Sequence, residues 1–201
     1  MISFLQLLEK KYDGALDEKG KQYLKFAVDG ASRMKVLIQD LLAFSMFVDL
    51  KGTSELVDLN ELVVEILCLL QNKIANKKPT FDISPLPIIN SNHSAMRQVF
   101  QNLIDNALKY QKDDEIPDIG MKCRDIGDFW EFSVSDNGIG IPEKHLEKIF
   151  IIFQRLHHSN EYSGTGMGLA VTKRIIENYG GKIWVTSIQG KGSVFYFTIP
   201  K

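Results

Sequence analysis

The 201-residue sequence is short of several things, and each shortage removes a class of protein. It has two cysteines, Cys68 and Cys123, far apart in apolar segments. That is too few for a disulfide framework or a thiolate zinc site, and it predicts two buried thiols in a reducing compartment. It has no charge excess: 24 Lys and Arg against 25 Asp and Glu leave a formal charge of −1, so neither nucleic acid nor an anionic membrane surface is an expected partner. It has no long hydrophobic run, because Glu61 and Glu65 break up ELVVEILCLL and Asp40 interrupts the other candidate. Glu9, Lys10 and Lys11 follow the start too soon for a signal peptide. There is no internal repeat and no low-complexity tract. What remains is a cytoplasmic globular protein, 44% hydrophobic and 24% charged, with room for one ordinary domain and a smaller element.

The smaller element comes first. Residues 1–11 follow a helical pattern, Tyr12-Asp13-Gly14-Ala15 makes a turn, and Asp17 is placed to cap a second helix that runs without proline to about Val48. Along it Ala27, Ala31, Met34, Ile38, Leu41, Ser45 and Val48 recur four and three apart, flanked by Leu37 and Phe44, a seam of bundle type. At 1.5 Å per residue the second helix would be about 48 Å long and the first about 16 Å. An antiparallel first helix then covers only the start of the seam, leaving Ala31 to Val48 without cover from this chain. The expectation is a second subunit on the seam, a first helix truncated at its N-terminus, or both.

After a linker at 51–54 the pattern becomes mixed. A strand at 55–58 leads into a helix to about Ala75, with Asp58 and Glu61 as a capping box. Strands follow at 80–83 and 87–89, then a helix over 94–111. A hairpin of 119–124 and 129–134 turns on Asp125-Ile126-Gly127-Asp128. A glycine-rich stretch and a long polar segment precede a helix over 168–179 that stops at Gly180-Gly181. The last hairpin pairs 182–187 with 193–199. Gly190-Lys191-Gly192-Ser193 reads as its turn. The predicted fold is α+β, a two-layer α/β sandwich with a mixed sheet and three helices, preceded by a helical hairpin. The predicted units are 1–50, the linker 51–54, and 55–201.

The helix over 94–111 carries a contradiction. At 100° per residue Asn102, Asn106 and Lys109 share one narrow strip, while Val99, Phe100, Leu103, Ile104, Ala107, Leu108 and Tyr110 cover most of the rest. So apolar a helix belongs in a core, where amides need partners. Carboxamide oxygens suit a hard cation such as Mg²⁺ and an ammonium suits phosphate, so the strip could line a site; an asparagine pair capping neighbouring loops is the other reading. Two glycine clusters follow. In Asp136-Asn137-Gly138-Ile139-Gly140-Ile141-Pro142 a lone carboxylate ends a strand, where it can accept from an exocyclic amine while the glycines let a flat base approach; DNG is also a common turn. Gly164-Thr165-Gly166-Met167-Gly168-Leu169 runs into a helix whose N-terminal amides suit a phosphate chain, with neither the Walker nor the dinucleotide spacing. Between the clusters IFIIFQRL and HHSNEYS read as a lid docked by aromatics, with Arg155 able to reach phosphate. His157, His158 and Glu161 lack a fourth ligand and read as solvated lid residues.

The order NLIDNALKY, DNGIGIP, IFIIFQRL, GTGMGLA closely resembles the N, G1, F and G2 boxes of the sensor histidine kinases. The ATP-binding domain of that family has the GHKL fold, shared with gyrase, heat-shock chaperone and mismatch-repair ATPases. The long second helix ending LIQDLLAFS resembles the second helix of the family's dimerisation and phosphotransfer hairpin, and FQRL with EYSGTGMGLA looks most like the phytochrome-like, PAS-linked branch. The resemblance implies ATP and Mg²⁺ as cofactors, with Asn106 the principal metal ligand and Asn102 assisting. It sets Lys109 and Tyr110 near the phosphates and puts Asp136 on the adenine amine, with Gly138 and Gly140 beside it. Gly164, Thr165, Gly166, Met167, Gly168 and Leu169 become the hinge and phosphate turn. Asn102, Lys109 and Arg155 become the residues acting on phosphoryl transfer, Arg155 on the γ-phosphate.

It also implies a homodimer through the hairpin, an upstream sensor domain and a response regulator receiver domain as partners. None of the four histidines, at 93, 145, 157 and 158, lies on the hairpin, where the family carries its phosphoacceptor. The expectation is that the chain binds Mg·ATP without phosphorylating itself there. Hydrolysing relatives carry a glutamate one turn before the metal-binding asparagine; here that position is Asn102, which cannot act as a base, so transfer is expected over hydrolysis. A non-catalytic nucleotide-binding scaffold and a GHKL-type ATPase are the alternatives.

Overall fold

The computed structural model describes residues 2–12, 14, 16–46, 54–113, 115–154, 156 and 165–201. Helix α1 (Ile2–Tyr12) packs on α2 (Glu18–Met46). Asp17 caps α2 as its sequence position predicts, its Oδ1 accepting from Gly20 N at 2.8 Å. Along the seam Ala31 is buried, whereas Met34, Ile38 and Leu41 are each more than half exposed, as are Phe4 and Leu7 of α1 and Phe26 of α2. Val48 and residues 51–53 of the predicted linker lie outside the described residues.

The remainder is α+β, as predicted. A five-stranded sheet has the order β2 (Thr80–Ile83), β4 (Asp118–Asp125), β5 (Phe129–Asp136), β7 (Gly192–Pro200), β6 (Ile183–Ile188). Only β2 and β4 run parallel; the other neighbours are antiparallel. A separate two-stranded ribbon joins β1 (Glu55–Asp58) to β3 (Ile88–Ser91). Helices α3 (Leu59–Leu69), α5 (His93–Lys109) and α6 (Gly168–Asn178) share one core with the sheet.

Helix α5 lies at the centre of that core because most of its circumference is apolar. Met96, Val99, Phe100, Leu103, Ile104 and Leu108 are essentially inaccessible. Phe100 reaches the middle of the sheet, edge-on to Phe132 at 5.7 Å and to Phe197 at 5.4 Å between centroids. Those two rings are register partners on β5 and β7 and stack at 4.9 Å.

Three sequence expectations change. The helix predicted from 58 to about 75 is two helices, α3 and α4 (Gln71–Lys77), broken at Leu70 with φ −93° and ψ 7°. The break keeps Leu70 buried and lets Ile74 pack on the same core. Of the capping box expected at Asp58 one half forms: its carboxylate accepts chiefly from Asn60, whose N donates to Oδ1 at 2.8 Å, and secondarily from the Glu61 backbone, with no return bond from the Glu61 side chain among the described residues. The Asn60 amide also bonds Leu86 through both its N–H and its carbonyl, tying α3 to the loop before β3. Of the two thiols predicted to be buried, Cys68 is exposed, on the side of α3 that carries exposed Val64 one turn earlier. Cys123 is half-buried, and burial, followed by the charge of Asp125, raises its thiol to about 11.

Replacing the ring at the heart of this core should be costly. Phe197→Ala is expected to destabilise the protein by about 3–5 kcal/mol in urea unfolding, whereas Trp184→Ala, at the half-exposed β6 position, should cost well under half as much.

Candidate functional site

The polar strip of α5 connects two loops. At the C-terminal end, Tyr110 closes the helix, and its carbonyl accepts from Ile139 N at 3.0 Å. The chain after β5 passes so close that a Cβ on Gly138 would lie 2.1 Å from Tyr110 O. Gly140, at φ +67°, would set a Cβ 2.1 Å from Ile188 O. Gly190 N donates to Ile139 O and Ile141 N to Ser187 Oγ, both at 2.8 Å. The segment from Asp136 to Ile141 is therefore bolted between the end of α5 and the β6–β7 turn.

Asp136 sits where β5 enters this loop. Its Oδ1 accepts from Gly138 N at 2.9 Å. Burial pushes its carboxyl up to about 6, against the opposing pull of backbone N–H groups of Gly138 and Ser193. No cation pairs with it among the described residues, so it is a half-buried acceptor at the mouth of the glycine loop, suited to an N–H donor. Asn137, which the sequence reading passed over, holds the loop from the other side. Its Oδ1 accepts from Asp118 N at 2.8 Å, and its Nδ2 donates to Ile116 O at 2.9 Å.

Two turns back along α5, the strip meets the second glycine cluster. Gly166 adopts φ +78°, Met167 is fully buried, and α6 begins with no side-chain cap. Among the described residues no side chain caps the amides of its first turn, which suits them to an anion. Thr165 Oγ1 accepts from Met167 N at 3.4 Å. Leu169 is half-buried and packs on the core. A Cβ on Gly168 would make only ordinary contact with Asn102, 3.5 Å from its Cγ, so Gly166 is the glycine the backbone demands here.

The strip residues divide in role. Asn102 is engaged: its Nδ2 donates to Gly168 O at 2.9 Å and to Thr172 Oγ1 at 3.1 Å, and its Oδ1 accepts from Gln98 Nε2 at 2.9 Å. Asn106, between the two glycine clusters, has no side-chain hydrogen bond among the described residues. Lys109 Nζ donates to Tyr110 OH at 2.9 Å and lies 4.4 Å from that ring's centroid. From Asn102 to Tyr110 this length of α5 spans about 12 Å, with the Asp136 loop at one end and the N-terminus of α6 at the other. Arg155 and Gly164, and with them His157, His158 and Glu161, lie outside the described residues. Gln98 and Thr172 were missed from sequence; the one available signal was their spacing, four residues before Asn102 and four after Gly168.

The neutral oxygen of Asn106 is the donor on this strip that fits Mg²⁺, which takes few protein ligands and keeps water and phosphate oxygens. Among the described residues no cluster of three or more His, Cys, Asp or Glu offers an alternative metal site. No described helix is long and apolar enough to cross a membrane.

Comparison with known proteins gives the same picture. The pattern of the histidine kinase-, DNA gyrase B- and HSP90-like ATPases matches residues 91–201. The chain is 43% identical over its whole length to cyanobacterial phytochrome A of Nostoc sp. (strain PCC 7120), of which it spans 26%. It thus spans about a quarter of the first curated relatives it matches. Among solved structures it is similar to full-length ShkA in complex with AMPPNP, with TM-score 0.74, 25% identity, and 99% of this chain and 42% of that one covered. It is also similar to the histidine kinase ThkA in complex with the response regulator TrrA, with TM-score 0.69, 27% identity, and 100% and 57% covered.

The raised carboxyl of Asp136 makes a stability prediction. With about 6 in the folded state against 3.8 for the ordinary group, the folded protein holds this proton more tightly, so the cost of burying the charge is full above pH 6 and fades as pH falls towards 4. Asp136→Asn keeps an acceptor for Gly138 N and removes that cost. The Tm of the variant minus that of the parent is therefore expected to shrink between pH 7.5 and pH 4.5; a difference that does not change with pH would contradict the assignment.

Proposed function

Because the chain belongs to the family of histidine kinase-, DNA gyrase B- and HSP90-like ATPases, we propose that it is the Mg·ATP-binding core of a two-component sensor histidine kinase. In this reading it transfers the γ-phosphate to a histidine on a helical hairpin for relay to a response regulator aspartate. The observation that carries the reading is the α5 strip, whose ends are tied to an acceptor over a glycine loop and to an uncapped helix N-terminus. Asp136 accepts the adenine amine, and Gly138 and Gly140 let the loop beside it pack directly on the Tyr110 and Ile188 carbonyls, which holds that carboxylate in place. The first-turn amides of α6 take the phosphate chain, with Lys109 and Tyr110 beside it. Asn106 holds the Mg²⁺, which offsets phosphate charge when bound. Gly164 and Arg155, in the segment outside the described residues, belong to the hinge and the γ-phosphate contact in this reading.

Transfer is favoured over hydrolysis because the residue one turn before Asn106 is an amide. Asn102 cannot take a proton from water, and its N–H groups are turned to α6. The acceptor histidine is not among residues 1–50, whose sequence contains none. The exposed apolar residues of α1 and α2 suit a second copy of the chain, giving a homodimer through the hairpin. The ThkA complex supports a response regulator as partner, and the similarity to a phytochrome supports a sensor domain elsewhere in the protein. A cytoplasmic location follows from the same reading.

A non-hydrolysable ATP analogue at a hundred times its Kd should stabilise the protein by about 2.7 kcal/mol. The shift should need Mg²⁺ and be largely lost in Asn106→Ala. ATP turnover alone should be slow or undetectable, while a hairpin carrying a histidine, supplied in trans, should acquire acid-labile phosphate. Robust turnover that disappears in Asn106→Ala would instead make the protein an ATPase, and no shift at all would make it a scaffold.

A further inference from the structure

One half-buried side-chain amide joins the two helices that meet at the phosphate end of the site. Asn102 Nδ2 donates to both Gly168 O and Thr172 Oγ1, and Gln98 Nε2 donates to Asn102 Oδ1. Thr172 is fully buried, and its own hydroxyl proton goes to Gly168 O at 2.9 Å. Its oxygen is therefore left as an acceptor for the amide. The sense of the network follows: Gly168 O can only accept, so the atom of residue 102 that faces α6 must be a donor. The carbonyl oxygen, the atom a cation would require, is turned along α5 to Gln98. One turn on, Asn106 has no such partner among the described residues.

We propose that Asn102 is a positioning residue, not a metal ligand: its amide clamps the first turn of α6 to α5 through Gly168 and Thr172. The clamp keeps the N-terminal amides of α6 aimed at the strip, and Asn106 is left as the metal ligand of the asparagine pair. The inference rests on the nucleotide site described above, and it predicts a requirement that metal ligation does not. A carboxylate at position 102 would set a second acceptor against Gly168 O and the Thr172 oxygen, breaking the clamp. The same carboxylate would suit a Mg²⁺ ligand at least as well as an amide does.

The test is calorimetric titration of the full chain with a non-hydrolysable ATP analogue, once with Mg²⁺ and once with chelator. Asn102→Asp and Thr172→Val are each expected to weaken binding about tenfold in both conditions, the scale of one or two lost hydrogen bonds. Both should retain the gain from Mg²⁺, which Asn106→Ala should lose. Asn102→Ala combined with Thr172→Val should cost much less than the two single losses together, and Thr172→Ser, which keeps the hydroxyl, should recover affinity relative to valine. In the absence of nucleotide, hydrogen exchange of the first amides that α6 itself bonds, at 171 and 173–175, should be faster in Asn102→Ala and in Thr172→Val.

The proposal is overturned if Asn102→Asp preserves or strengthens Mg²⁺-dependent binding, if Thr172→Val binds like the parent, or if exchange at 171 and 173–175 is unchanged. A parent protein that binds no nucleotide would overturn the site itself; the exchange measurement would still decide whether the amide clamps α6.

Discussion

Burial of α5 against the middle of the sheet is the constraint on which the rest of the structure depends. Phe100, set edge-on against the stacked Phe132 and Phe197, fixes the rotation of that helix as well as its depth. With the apolar arc committed to the core, Asn102, Asn106 and Lys109 have one direction in which to face. A hydrophobic interaction remote from any ligand thus sets the line along which the site is built, and both glycine clusters are fitted to that line. Gly138 passes under the Tyr110 carbonyl at one end, and the first turn of α6 is hydrogen-bonded to Asn102 at the other.

Much of this was legible in the sequence because periodicity and glycine placement are local signals. The apolar arc of α5, the hairpin turning on residues 125–128 and the stop at Gly180-Gly181 each follow from a few neighbouring residues. What was not legible depended on tertiary partners. The break at Leu70 follows no proline or glycine; it follows the core that Leu70 and Ile74 both reach. Cys68 lies in a run of apolar residues, yet faces outward because α3 is already turned inward by Leu62, Val63 and Ile66.

The site shows the same division. That Asp136 would stand at the end of a strand with glycines beside it could be read directly. That burial would raise its carboxyl, with no cation among the described residues to offset the cost, could not. The two asparagines were equivalent as letters on one helical strip, and only the approach of α6 separates them. Asn102 is bonded to α6 and to Gln98, while Asn106 has no side-chain hydrogen bond among the described residues. Asn137, Gln98 and Thr172 carry no motif that marks them as partners, because their roles consist of bonds to backbone or side chains far away in the chain.

The central claim is that this line of residues holds an adenine nucleotide, with Asp136 accepting from the base. A direct measurement compares equilibrium binding of Mg²⁺-loaded adenosine and inosine triphosphate analogues, which differ at the exocyclic position that Asp136 would read. A site that leaves a buried acceptor facing the inosine oxygen should reject that base strongly. The adenosine analogue is expected to bind at least about tenfold more tightly, and the preference should vanish in Asp136→Ala. Equal affinity for the two bases in the unmodified protein would contradict the account.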